Sequence, residues 1–485
     1  MNLANSNIKD IVNTLKNKFQ DCPDIIFRQV SLSNGLEGYF IFVVGLVDLD
    51  LFQRDFFKPL MSLNYENLKN EKIIKTLPIA RLSLIYDTPS IMKDVTQGRA
   101  VFIAQGINFA VSCNLIKFEK RSISEPESEK NIRGSHEGFV ECATTNVSIL
   151  RRKIRNNDLK FKIITLGTST NQDIYIAYIN KIANQEILQD LENRIKKYDY
   201  DGILGSGYIE QMISDSPNSP FPQFIATERP DKVVSLLLEG SLAVIVDGTP
   251  VVISAPVSFF SFFQTQDDFN SHWILGTFLG ILRVFALTIA LLLPAIYISV
   301  TSFHYYMVPL KLLIPLAESR GRVPFPPYFE AIIMEVTIEL LREASIRLPT
   351  YVGTSIGIIG GIIIGQAAVQ AGIVSVLMII VVSITAIASY VTPLNDMGIA
   401  IRLYRFMIML VSSVFGAVGI LVCIIFLIAH LISLESLGQP YLQPLAPLKL
   451  EDLKNAFIRV PFKFLKKRPD ISKPLDKKRG FDDEK

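Results

Sequence analysis

Apolar and polar positions are segregated along this chain. Before residue 268, short apolar runs alternate with polar segments at strand and helix spacing; between 268 and 438 long apolar runs dominate; after 449 charge returns. The most apolar stretch, 349–393, holds two long runs meeting at Gln370, Ala371 and Gly372, with no charged residue between its terminal prolines. That pattern predicts a membrane hairpin with helices over about 352–370 and 373–391, the second reaching the ~20 residues that cross a bilayer. Further spans are predicted at 284–303, with Pro294 as a kink site, and at 406–434. The proline-rich connection 308–327 reads as irregular, and 392–405 as a short linker.

The polar half reads as α/β. An amphipathic helix is expected over 8–20, strands over 24–30 and 38–47, a helix from Asp50 towards Leu60, and a hairpin turning at Gln105 and Gly106. A second run has the same order: a strand over 174–179, an amphipathic helix over 185–197, and a hairpin turning at Asp247 and Gly248. Aligning the two turns superimposes Gly98 on Gly240, and Asp48 aligns with Asn184. The fold class is therefore an α/β soluble region of two related subdomains, 1–120 and 121–265, followed by an all-α polytopic membrane domain, 266–438, with at least four spans. A basic tail, 439–485, is expected to lie along an anionic leaflet, each lysine or arginine contributing about 1 kcal/mol.

Composition fits this division. Of 485 residues, 49% are apolar and 20% charged, which in one chain implies a soluble part and a membrane part. A net charge of +3, with no basic domain carrying interleaved aromatics, argues against a nucleic-acid partner. The four cysteines show no metal or disulfide spacing and read as free thiols; no cofactor is implied. The first 20 residues have no secretory pattern, so the soluble half is expected in the cytosol. Basic residues after the last span place both termini there.

The candidate chemistry lies in the membrane half. Gly357, Gly361 and Gly365 recur every fourth residue and form a helix-packing face. On an adjoining face Ser355, Ile359, Ile362, Gln366 and Gln370 put hydroxyl and amide groups in a stripe with isoleucines. That stripe is either interhelical hydrogen bonding or the lining of a pore with an apolar constriction. Residues 328–348 form an amphipathic acidic helix with Glu335, Glu339 and Glu343 four residues apart. They line a wet vestibule favouring cations, or they pair with Arg342 and Arg347. In the soluble half, His136 and Glu137 have no second histidine nearby, and no nucleotide or hydrolase motif is present, so an enzyme is not expected.

Five strings carry a family resemblance: SEPESEKNIRGSHEGFVE (124–141), TERPDKV (227–233), LLEGSLAVIVDGTP (237–250), ELLREASIRLP (339–349) and IGQAAVQAGIVS (364–375). Over about 25–468 the chain resembles the A subunits of spore germinant receptors, the GerA family. The resemblance implies a multi-pass protein of the inner spore membrane, working with a transporter-like B subunit that senses nutrient and a lipoprotein C subunit. It further implies a homo-oligomer, a ring conducting cations when germinant binds. The alternatives are a non-conducting scaffold that relays the signal, or the related paralogue linked to dipicolinate release. A secondary transporter would favour inverted repeats, which the membrane half does not display.

Overall fold

The computed structural model describes residues 3, 7–32, 35–63, 68–69, 71, 73–79, 81–116, 133–198, 200–347, 361 and 363–480. The polar half builds two five-stranded antiparallel sheets. In the first, strands β1 (Ile25–Ser31), β2 (Glu37–Val43), β3 (Leu82–Ile85), β4 (Ala100–Ala104) and β5 (Ala110–Cys113) lie in the order β1-β2-β4-β5-β3. The second contains β6 (Leu159–Leu166), β7 (Gln172–Ile179), β8 (Ile225–Thr227), β9 (Leu242–Val246) and β10 (Val252–Ala255), ordered β6-β7-β9-β10-β8.

Strand alternation gives each sheet two apolar faces, and helices cover both. On the first sheet, α1 (Ile8–Lys18) and α2 (Thr88–Thr96) cover Ile41, Val101 and Ile103. The helical segment 49–62 packs Phe52 and Phe56 on Phe40 and Phe102 behind it. On the second sheet, α3 (Ala143–Lys153) and α6 (Pro230–Glu239) cover Tyr175 and Ile245. The opposite face takes α4 (Gln185–Lys196) and α5 (Ser206–Ile213), whose Leu188 and Ile209 meet Ile176 and Val244. Asp48 and Asn184 cap the helices that follow β2 and β7. Gly98 and Gly240 precede β4 and β9 at φ 86° and 98°.

A buried ionic contact joins the two units. Arg151 on α3 donates from Nε and Nη2 to Asp24, just before β1, at 2.8 and 2.9 Å. Its Nη1 reaches the Leu159 carbonyl at 2.9 Å. Lys160 extends Nζ to the carbonyls of Lys18 and Gln20 at 2.8 and 2.6 Å, satisfying the end of α1. Both cations are thus fully engaged, as buried charge requires.

The apolar half is helical: α7 (Trp273–Ser302), α8 (Leu310–Arg320), α9 (Pro327–Arg347), α10 (363–370), α11 (Val376–Tyr390) and α12 (Asn395–Ser433). Of these, α7 and α12 are long and apolar enough to cross a membrane, and α11 is a shorter apolar helix. Three expectations change. The connection 308–327 contains α8, with Pro309 as its N-cap and Pro315 in its interior. The linker 392–405 is mostly helix, since α12 begins at Asn395.

Most consequentially, the run 406–434 is not one rod. Gly416 sits at φ 57°, ψ −136°, a non-helical geometry inside α12. The rings of Tyr404 and His430 are 6.2 Å apart. Twenty-six residues of straight helix would separate them by about 39 Å. The chain therefore reverses at Gly416, and α12 is a hairpin of two antiparallel arms. Its turn packs against Phe303 and His304, just beyond the end of α7. Met397 and Ile401 from one arm and Leu427 and Leu431 from the other share a core with Phe221, Leu236 and Phe262 of the second α/β unit.

The C-terminal segment packs on the second unit: the Leu475 amide donates to the Ile182 carbonyl at 2.8 Å, and just ahead of the segment Ser436 Oγ donates to the Gln223 carbonyl at 2.7 Å. Tyr441 and Ser472 are fully buried.

Candidate functional site

The helix bundle brings the acidic stripe of α9 against α11 and α12. Glu335 and Arg405 are each about 1% exposed and meet at 2.8 Å. One turn on, Glu339 receives three arginines: Arg402 at 3.2 Å, Arg405 at 3.3 Å and Arg342 at 3.8 Å. Arg342 also donates to Ser389 Oγ at 2.7 Å and lies over the Tyr390 ring at 4.7 Å. Glu343, further along, pairs with Arg347 at 2.6 Å with both side chains exposed. In this single chain the two inner carboxylates are held by three guanidinium groups, and only the outermost faces away. A charge pair so deeply buried depends on its partner: removing one leaves the other desolvated and alone.

Sequence reasoning found the glutamates and missed Arg402 and Arg405. Their signal was two cations three residues apart, hence on one face, immediately before a long apolar run.

A second buried carboxylate fixes the turn into α11. Glu330, fully buried, accepts from the Ser375 amide at 3.0 Å, with Arg320 of α8 at 3.7 Å. Ser375 in turn caps α11 by accepting from the Met378 amide at 3.3 Å, and it lies 3.1 Å from the Tyr297 hydroxyl of α7. Gly372, at φ 68°, makes the reversal, and a side chain there would meet the Arg322 carbonyl at 3.0 Å. Four helices thus converge on the junction that the sequence marked at Gln370, Ala371 and Gly372.

Of the polar stripe, Ser355, Ile359 and Ile362 lie outside the described residues, as does Gly357. On α10, Gln366 and Gln370 are exposed, one turn apart. Gly365 is buried, the position of its missing Cβ 3.9 Å from Ile379 of α11, whereas Gly361 is exposed. The described part of the glycine face therefore turns towards α11 at Gly365, and the amide face turns away from the chain.

In the soluble half, Glu137 pairs with Arg152, and with Lys153 at 3.3 Å, so the loop carboxylate is structural. Arg229 and Asp231 pair at 2.5 Å at the start of α6. Among the described residues, no group of three or more His, Cys, Asp and Glu side chains could hold a metal ion.

Comparison with known proteins bears on the whole chain. Residues 13–471 match the family described as Bacillus/Clostridium GerA spore germination protein. Spore germination protein KA of Bacillus subtilis (strain 168) is 40% identical over 484 residues, covering 98% of this chain and 88% of its own. Spore germination protein GerLA of Bacillus cereus is 36% identical over 97% of this chain and 96% of its own. The crystal structure of the N-terminal domain of the A subunit of the Bacillus megaterium spore germinant receptor GerK3 is 29% identical. It matches 53% of this chain and 98% of that one, with a TM-score of 0.42.

Proposed function

The chain belongs to the GerA family of spore germination proteins, and on that premise we propose that it is a receptor A subunit that oligomerises in the spore inner membrane and forms a nutrient-gated cation path. Its partners are a transporter-like B subunit and a lipoprotein C subunit. The observation that carries the channel reading is the exposure of Gln366 and Gln370 on α10. Amides on a membrane helix need water or polar partners, and a ring of copies around a wet axis supplies both. In that ring Ser355, Ile359, Ile362, Gln366 and Gln370 line the path, Ile359 and Ile362 forming the dry constriction, while Gly357, Gly361 and Gly365 allow close helix approach. Glu335, Glu339 and Glu343 form the vestibule. In the closed state the first two are sequestered by arginines, and opening releases carboxylate to attract cations.

The domain reading accompanies this proposal: two related α/β subdomains, 1–120 and 121–265, a polytopic helical domain, 266–438, and a C-terminal segment, 439–485, with both ends cytosolic. Relatedness of the subdomains is supported by their identical strand order and the matched positions of Gly98 and Gly240.

Planar-bilayer current from the purified oligomer tests the function, comparing wild type with Ile362→Ala and Glu339→Gln. Currents whose size or cation selectivity change in the variants support the path. Silence persisting with both partner subunits and germinant present favours the second reading, a non-conducting scaffold relaying the signal. The observation behind that reading is the continuous core joining the second α/β unit to α7, α11 and α12.

A further inference from the structure

Where the second α/β unit, the first turns of α7 and the C-terminal segment meet, they line a partly open cavity of about 150 Å³. At that size an apolar cavity takes up benzene. One wall is apolar, formed by Phe260 and Phe263 from the short helix Phe259–Phe263 and by Val284 and Leu287 on α7. Gly280, on the same face of α7, adds no side chain to the lining, and Gly276 one turn earlier lets the Asp268 backbone approach, its missing Cβ lying 2.9 Å from that carbonyl.

The rest of the lining is polar and electrically balanced. Arg283, Arg459 and Arg479 stand against Asp268, Glu239 and Asp452. These groups already have partners: Arg283 meets Asp268 at 2.5 Å and Arg479 meets Glu239 at 2.5 Å. Arg459 lies over the Phe269 ring at 5.4 Å, and Asp452 accepts from the Asp470 amide at 3.1 Å. Adding a net charge would unbalance the wall in a poorly solvated space.

Buried donors there lack acceptors among the described residues. Gln443 lines the cavity at 4% exposure, and its Nε2 has no acceptor among the described residues. Arg479 Nε is buried in the same condition. A buried donor without an acceptor costs about 1–3 kcal/mol, so an acceptor brought by a ligand has a ready place.

We propose that this cavity is a binding site for a small uncharged molecule: an apolar body about the size of a benzene ring carrying a carbonyl or hydroxyl oxygen, with that oxygen on Gln443 and Arg479 and the ring among the phenylalanines. The site is separate from the proposed ion path. Because three parts of the chain build it, an occupant ties the C-terminal segment and the α/β unit to α7.

The test is ligand-observed NMR titration of benzamide against the full chain in detergent, with benzoate and benzylammonium as charged controls. Saturable benzamide binding is expected, with both ions at least about 10-fold weaker. Gln443→Leu keeps the shape, removes the donors and is expected to weaken benzamide about 3- to 10-fold. Gly280→Leu fills the cavity and abolishes binding, its unchanged elution volume reporting a folded chain. Absence of saturable benzamide binding overturns the proposal, as does benzoate binding as tightly as benzamide. Equal benzamide affinity in wild type and Gln443→Leu overturns it too, and that comparison stands if Gly280→Leu does not fold.

Discussion

At the scale of single residues, burial without a counter-charge has a measurable signature outside the membrane helices. Burial pushes the Glu210 carboxyl on α5 up to about 7, and the negative Asp396 at the start of α12 pushes the same way. A carboxyl raised from 4.5 binds its proton more tightly folded than unfolded. Its contribution to stability is therefore full below about pH 4.5 and is lost as pH rises through about 7. Glu210→Gln is expected to flatten that part of the profile and to be the more stable form at pH 8, by on the order of 2 kcal/mol. Thermal unfolding of the detergent-solubilised chain from pH 4 to 8 measures this, and parallel profiles for the two proteins would refute it. Arg151 is the contrasting case. It is more deeply buried than Glu210, but Asp24 and two carbonyls meet it, and it joins the two α/β units.

At the scale of elements, Gly416 decides the architecture of α12. Its φ of 57° with ψ of −136° suits glycine alone, and a Cβ would lie 3.0 Å from His304 and 3.1 Å from Phe303. Gly416→Ala is expected to destabilise the chain by about 1–3 kcal/mol. Denaturation of the purified protein gives the value, and an unchanged midpoint would mean that the reversal does not depend on glycine. This turn was invisible in the sequence because no charged residue marks it: from Phe406 to Ala429 the apolar run continues through both arms. Turns exposed to water were legible. Gly106 and Gly248 stand at φ 75° and 88° where the hairpins were expected, and α4 spans Gln185–Lys196 against an expected 185–197. Strand β6 escaped notice because Lys160 and Lys162 break its apolar pattern. Only the structure reveals that Lys160 is buried, its charge met by carbonyls from α1. The glutamates of α9 were visible as a stripe with Arg342 and Arg347 beside them, but Arg402 and Arg405 come from more than sixty residues later and could not be assigned by spacing.

At the scale of the whole molecule, the C-terminal segment and the second α/β unit are in direct contact, so they share one side of any membrane that the helices cross. The number of crossings between them is then even, which the reversal at Gly416 helps to satisfy. In a chain freed of its native cysteines, Leu204→Cys and Leu448→Cys are expected to react alike with an impermeant thiol reagent on sealed vesicles. Tyr306→Cys, beyond the far end of α7, should behave oppositely. Opposite labelling of Leu204→Cys and Leu448→Cys would sink this arrangement. The same contact orders events during synthesis. Leu437 belongs to the core of the second unit, beside residues such as Ile176 and Val244 made some two hundred positions earlier. A ribosome releases that leucine only after every helix of the bundle has been translated. The nascent unit must therefore wait, its interior incomplete, until the membrane segments have been delivered, and a chain cut short anywhere before Leu437 leaves that gap for a protease to find.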